Sequence, residues 1–129
     1  IFANNAQIAG HVFVENHAIL GGFTVVHQFV SIGAHSLTAM GTILLQDLPP
    51  YVTAAGNTAQ PHGINSEGLK RRGFSQATVS ALRAAYKTLY KSGLTLADAK
   101  LDLGRQALVT PEIGPLVAFL DRSRRGIIR

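Results

Sequence analysis

A six-residue beat runs through the first third of the chain. Stepping by six from Phe2 meets Phe2, Ile8, Val14, Leu20, Val26, Ile32, Thr38 and Leu44, of which seven are apolar. Stepping from Ala6 meets Ala6, Val12, Ala18, Thr24, Val30, Ser36 and Thr42, all small or β-branched. A helix repeats about every 3.6 residues and a strand about every 2, so neither produces this beat. A repeated hexapeptide does, when each hexad forms one flat side of a triangular parallel β-helix. The apolar residue then points into the prism, and the small residue fits where the chain turns a corner.

The rest of the composition narrows the class. The 129 residues, 47% of them hydrophobic, suffice for one domain or slightly more. With no cysteine there is neither a disulfide framework nor thiol chemistry. No apolar run is long enough to span a bilayer, and no signal segment opens the chain, so membrane insertion is not expected and the expected location is cytoplasmic. Net charge is +5. Nucleic acid is not the expected partner, because there is no Trp and Tyr51, Tyr86 and Tyr90 are not interleaved with a basic patch. An acidic protein or a phosphorylated substrate suits the charge better. The hexad is already in phase at Phe2, and repeat arrays need capped ends. Coils upstream are therefore expected, with this chain the C-terminal portion of a longer protein.

Three regions follow. Residues 1–51 carry the coils, about two and a half of them at roughly 18 residues each. Asp47-Leu48-Pro49-Pro50-Tyr51 reads as the exit from the coil, since proline donates no backbone hydrogen bond. Residues 52–73 read as a long ordered loop. Residues 74–129 read as helical. Ser75 caps a helix over Gln76 to Lys91 with Val79, Leu82, Ala85, Tyr86, Leu89 and Tyr90 at helical spacing, ended by Gly93. Thr95 caps a second to about Leu108. Thr110-Pro111-Glu112 opens a third, with Thr110 as cap and Leu116, Val117 and Leu120 inward.

The residues that interrupt the repeat must carry any function, because the architecture alone does not. His17 and His35 lie 18 apart, one above the other. Metal ligation needs converging imidazoles with supporting acids, and only Glu15 and Asp47 lie in the coils, so solvated surface histidines are the favoured reading. His11 follows a glycine, which lets a ligand approach the backbone. Core-edge packing explains His27 as well as ligand contact does. Asn65 and Glu67 can bind sugar hydroxyls, and Arg71 and Arg72 can fork onto phosphate; an ordinary polar loop explains them equally.

These segments together resemble the UDP-N-acetylglucosamine O-acyltransferase family. The resemblance rests on Ala9-Gly10-His11-Val12, Val26-His27-Gln28-Phe29, Ile32-Gly33-Ala34-His35, Asp47 to Tyr51, Asn65 through Gly73 with Phe74-Ser75, and Arg122-Ser123 to Arg129. It spans essentially the whole chain in one register. It implies a left-handed parallel β-helix followed by a small α-helical C-terminal domain, assembled as a homotrimer with active sites between subunits. It implies transfer of an R-3-hydroxyacyl group from acyl carrier protein to the 3-hydroxyl of UDP-N-acetylglucosamine, the first step of lipid A synthesis, with no metal or separate cofactor. Carried over residue by residue, Gly10 offers its N–H to the thioester oxyanion. His11, His27 and Gln28 line the cleft, Asn65 and Glu67 contact the nucleotide sugar, and Arg72 with Arg71 meets its phosphates or the carrier protein.

Two departures stand out. The family's general base is a histidine followed by aspartate. His17 precedes Ala18 and His35 precedes Ser36, so that base is expected outside these residues. Its loss would cost roughly 10²–10⁴ in rate. Met40 stands where some relatives have glycine, at the far end of the acyl groove, and is expected to act as an acyl-chain ruler; the alternative is that it packs the prism interior. Other readings of the chain are an inactive trimerising β-helix module and the related N-acyltransferase of the same pathway.

Overall fold

The computed structural model describes residues 1–129. The repeat folds as read. Seven two-residue strands, β1 (Gln7–Ile8), β2 (Phe13–Val14), β3 (Ile19–Leu20), β4 (Val25–Val26), β5 (Ser31–Ile32), β6 (Leu37–Thr38) and β7 (Ile43–Leu44), come at six-residue intervals. They stack in parallel on three sheets, in the orders β1-β4-β7, β2-β5 and β3-β6. Each of the first four pairs with the strand eighteen positions on: Ile8 with Val26, Val14 with Ile32, Leu20 with Thr38, Val26 with Leu44. Both hexad tracks face inward. Leu20, Val26, Ile32 and Leu44 from the first, and Ala18, Thr24, Val30, Ser36 and Thr42 from the second, are all buried. The buried hydroxyls are satisfied internally: Thr24 with Thr38 at 2.8 Å, Ser36 to the Gly33 carbonyl at 2.7 Å, Thr42 to the Ala39 carbonyl at 2.6 Å.

A third track accounts for the corners. Asn5, His11, His17, Phe23, Phe29 and His35 have φ between 58° and 67°, and Gly41 continues the series at 75°. One left-handed residue per hexad turns the chain by a corner. For residues with a Cβ this conformation costs on the order of 1 kcal/mol, so the stacked coils must hold it.

The coil does not end at the prolines. Leu48 bridges Ile32 in parallel, and β8 (Val52–Ala55) pairs in parallel with β6 through Leu37↔Thr53. Pro49 and Pro50 form a buried corner within this last turn. A corner needs no ladder N–H, so proline is tolerated there. Gly33 permits it: a Cβ at Gly33 would collide with Pro50 and lie 2.7 Å from the Pro49 carbonyl carbon. Residues 52–73 are correspondingly more ordered than a loop. β9 (Gln60–Ile64) folds back antiparallel on β8, and a short helix, α1 (Ser66–Arg71), follows.

Three longer helices complete the chain. α2 (Gln76–Tyr90) is capped by Ser75, whose side chain accepts from the Thr78 N–H at 3.1 Å. α3 (Leu96–Val109) is capped by Thr95 through the Asp98 N–H at 3.2 Å. Thr110 does not cap. A 3-10 turn over Pro111–Ile113 intervenes, and α4 (Gly114–Arg122) begins after it. Leu116 and Leu120 are buried as expected; Phe119 joins them, while Val117 is half-buried. Leu82, Leu89, Leu103, Ile113 and Phe119 centre this core, and Tyr51 inserts into it from the coil. The Tyr51 hydroxyl donates to the Glu112 carbonyl at 2.6 Å. Burial first, then Glu112 and Glu15, push its phenol up to about 12. The end of the chain returns to the coil, where Ile127 bridges Asp47 in parallel. No helix is long and apolar enough to cross a membrane.

Candidate functional site

The corner track decides where functional side chains stand. Successive corners fall on successive edges of the prism, so residues eighteen apart share an edge. The first edge carries Gly10, His11, His27, Gln28 and Phe29. The second carries His17, His35 and Tyr51. The third carries Asn5, Phe23, Met40 and Gly41.

On the second edge lies a cleft of about 250 Å³, with Ile19 and Leu37 among its apolar lining. Helix α1 forms its other wall and supplies Glu67 and Arg71, with Arg72 at the helix end. Asn65 anchors this helix. Its Nδ2 donates to the His35 carbonyl at 3.1 Å, its Oδ1 accepts from the Gly68 N–H at 3.2 Å, and its N–H donates to the Tyr51 carbonyl at 2.8 Å. Asn65 is therefore buried and committed to holding α1 on the coil, which leaves one amide hydrogen for a ligand. Arg71 and Arg72 take part in none of the three ion pairs of the chain. Two guanidinium groups face a cleft whose one carboxylate is Glu67, an arrangement suited to an anion with several oxygens.

His17 and His35 do lie one above the other, their ring centroids 4.9 Å apart. His35 is not the solvated surface group expected of it. It packs edge-on to Phe74 at 5.0 Å and over Tyr51 at 5.9 Å. Burial first, then His17 and Arg72, hold its pKa below the ordinary histidine value. An imidazole that holds its proton less readily than usual thus lines a cationic cleft. The eighteen-residue spacing was the signal for this pair, and the stack with Phe74 was not visible in it.

The first edge borders a second cleft of about 360 Å³, lined by His11, Phe13, Phe29 and Ser31 on the coil and by Arg122, Arg124 and Arg125 from the tail. Gly10, beside His11 on this edge, is exposed, and a Cβ at its position would meet nothing within 4 Å. Its carbonyl accepts from the Phe29 N–H at 3.2 Å, and its own N–H has no partner in the chain. His27 Nδ1 sits 3.2 Å from the Gln28 carbonyl oxygen. Glu15 and Asp47, the two acids of the coils, are spent on structure. Glu15 accepts from the Ala34 N–H at 3.1 Å and from Arg122 at 2.6 Å. Asp47 accepts from the Ser31 N–H at 2.8 Å and the Ser123 hydroxyl at 2.6 Å. Nowhere does the chain gather three His, Asp or Glu side chains that could hold a metal ion.

Met40 is 76% exposed at a corner of the third edge, which removes the alternative that it packs the prism interior. The expected site residues therefore do not converge within one chain: Gly10 and His11, the α1 cleft, and Met40 occupy three different edges. The reason is the hexad itself, which moves every sixth residue to the next edge.

Comparison with known proteins agrees with the resemblance read from the motifs. The profile of UDP-N-acetylglucosamine O-acyltransferase, domain 2, matches residues 47–128. The chain is 54% identical over its full length to the acyl-[acyl-carrier-protein]–UDP-N-acetylglucosamine O-acyltransferase of Thiobacillus denitrificans, of which it covers 50%. It is equally 54% identical to the enzyme of the same name from Burkholderia orbicola, covering 51%. Among solved structures it superposes on UDP-N-acetylglucosamine O-acyltransferase from Moraxella catarrhalis with TM-score 0.96 at 38% identity, covering 99% of this chain and 50% of that one. The chain thus spans about half the length of the curated relatives it matches.

Proposed function

The chain belongs to the UDP-N-acetylglucosamine O-acyltransferase family, and from that premise we propose that the whole protein moves an R-3-hydroxyacyl group from acyl carrier protein to the 3-hydroxyl of UDP-N-acetylglucosamine, opening lipid A synthesis. The observation that carries this reading is the pair of unpaired guanidinium groups at the end of α1, Arg71 and Arg72, set beside Glu67 over the His17–His35 edge. A nucleoside diphosphate sugar offers the matching chemistry: phosphate oxygens for the arginines, and hydroxyl and amide groups for Glu67 and the free hydrogen of Asn65.

The reaction is an acyl transfer. The sugar oxygen attacks the thioester carbonyl carbon, a C–O bond forms, the C–S bond breaks, and the hydroxyl proton ends on the leaving thiol. The free N–H of Gly10 donates to the oxygen that becomes negative in between. His11 and Gln28 border the path of the donor, with His27 beside them. The base that takes the hydroxyl proton lies outside residues 1–129 in this reading, since neither His17 nor His35 has the expected aspartate after it. No metal or separate cofactor takes part.

A homotrimer of left-handed coils, acting in the cytoplasm, supplies what one chain lacks, because residues on separate edges of different copies then face one another. The excess of basic residues suits an acidic carrier protein. The test is transfer of a radiolabelled hydroxyacyl group to UDP-N-acetylglucosamine by the whole protein. Formation of the 3-O-acyl product is expected, and its absence overturns the reading.

A further inference from the structure

Of the motif Val26-His27-Gln28-Phe29, the reading above uses His27 and Gln28 and leaves Phe29 idle. Phe29 is 51% exposed, so it is not held there by burial in a core. Its ring instead lies flat on the imidazole of His11, centroids 4.9 Å apart and planes 5° from parallel. Both residues are left-handed corner residues, at φ 60° and 67°, and stand one coil apart on the same edge. Phe23, the corner before Phe29, is 58% exposed and stacks on no ring. Exposure at a corner is therefore common in this chain, whereas the stack on this edge is closer and flatter than that of His35 on Tyr51, which lies at 5.9 Å and 15°.

The His11 imidazole makes no hydrogen bond through either nitrogen. An exposed imidazole without a hydrogen bond rotates freely unless a face contact fixes it. We propose that Phe29 is the positioning residue of His11: its ring fixes the imidazole plane by stacking and leaves both ring nitrogens presented to the cleft lined by His11, Phe13 and Ser31. A hydrogen bond from the protein would fix the ring at the expense of one of those nitrogens; a face stack does not. Aromatic stacking contributes about 0.5–1.5 kcal/mol beyond area, which is a factor of roughly 2–10 in the population of the aligned ring. The proposal deepens the acyltransferase reading, which makes His11 a cleft residue.

The whole protein with Phe29→Leu, Phe29→Tyr and His11→Ala, and the His11→Ala/Phe29→Leu double variant, tests it. Phe29→Leu is expected to lower kcat/KM about threefold to tenfold, and Phe29→Tyr, which keeps the flat face, to stay within about twofold. In the His11→Ala background, Phe29→Leu is expected to add less than about twofold, because a residue that acts through His11 has nothing left to act on. An equal loss in both backgrounds overturns the proposal, as does an undiminished Phe29→Leu. A second readout needs no activity. The His11 ring-proton NMR signals lie in the shielding region of the Phe29 face, so they should move downfield in Phe29→Leu and remain in Phe29→Tyr. Signals that do not move overturn the proposal. If the wild type transfers no acyl group but the signals move, the acyltransferase reading fails while the stack stands.

Discussion

The Arg122 guanidinium donates to the Glu15 carboxylate at 2.6 Å, tying the end of α4 to a coil 107 positions earlier. Next to it, Ser123 donates to Asp47, and Ile127 bridges Asp47 through the backbone. The tail is thus fastened to the coil at an exposed ion pair and at a buried carboxylate. These two fasteners should differ in strength. The side chains of the Arg122–Glu15 pair are 54% and 36% exposed, so Arg122→Ala should cost about 1 kcal/mol or less. Asp47 is 3% exposed, and Asp47→Ala strands two donors, an expected loss of about 2–4 kcal/mol. Urea unfolding of both variants measures the difference; equal losses would contradict the assignment.

Two glycines should separate stability from activity. A methyl at Gly33 runs into the Pro49-Pro50 corner, so Gly33→Ala is expected to destabilise by about 1–3 kcal/mol. A methyl at Gly10 meets nothing in the chain, so Gly10→Ala should leave stability within about 0.5 kcal/mol. If the Gly10 N–H receives the donor thioester, the same change slows acyl transfer about tenfold or more by holding the donor off. Thermal unfolding and steady-state kinetics on the pair check both halves.

His35 predicts a pH dependence with a definite sign. Its folded pKa lies below the ordinary value of 6.5, so the unfolded chain binds the proton more readily. Stability is then full above about pH 6.5 and is lost as pH falls through the lower folded value. His35→Gln should flatten this acid limb. Urea midpoints taken between about pH 5 and 8 decide it; an unchanged slope in the variant would assign the effect elsewhere.

Arg71 and Arg72 contact no carboxylate, so their loss should leave folding intact while weakening anion binding. The Arg71→Ala/Arg72→Ala variant is expected to raise KM for UDP-N-acetylglucosamine at least about tenfold, with a shallower salt dependence. A raised KM without any change in salt dependence would point to a lost shape rather than a lost charge.

Met40 stands 76% exposed on the third edge, available to a neighbouring surface or an acyl tail. If it is the ruler of an acyl groove, as the family resemblance implies, it shortens the space that glycine leaves open. Met40→Gly in the whole protein should shift preference toward a hydroxyacyl donor a few carbons longer, read by competition between donors. The same preferred length in both proteins ends the ruler idea.

Much of this was written in the sequence by short-range rules. The inward hexads, the caps Ser75 and Thr95, and the eighteen-residue partnership of His17 and His35 follow from periodicity and local hydrogen bonding, which a repeat displays directly. What escaped depends on contacts far apart in the chain. Pro49-Pro50 looked like an exit because proline cannot join a ladder, yet a corner asks for no ladder bond and Gly33 makes room for it. Residues 60–64 show no alternation, with Pro61 and Gly63 among them, and become a strand only because β8 lies alongside.

The amino-acid sequence by itself determined the triangular coil and the helices that follow it, because side-chain direction in a repeat is set by position within the hexad. The motifs likewise marked the family. The tertiary structure alone decided which marked residues meet. It placed Gly10 and His11 on one edge, α1 above a second and Met40 on a third. It made Asn65 a strut, half-buried His35 between Tyr51 and Phe74, and laid Phe29 flat on His11. Periodicity tells a side chain to face in or out; only the closure of the coils and the packing of α1 against them determine its neighbours.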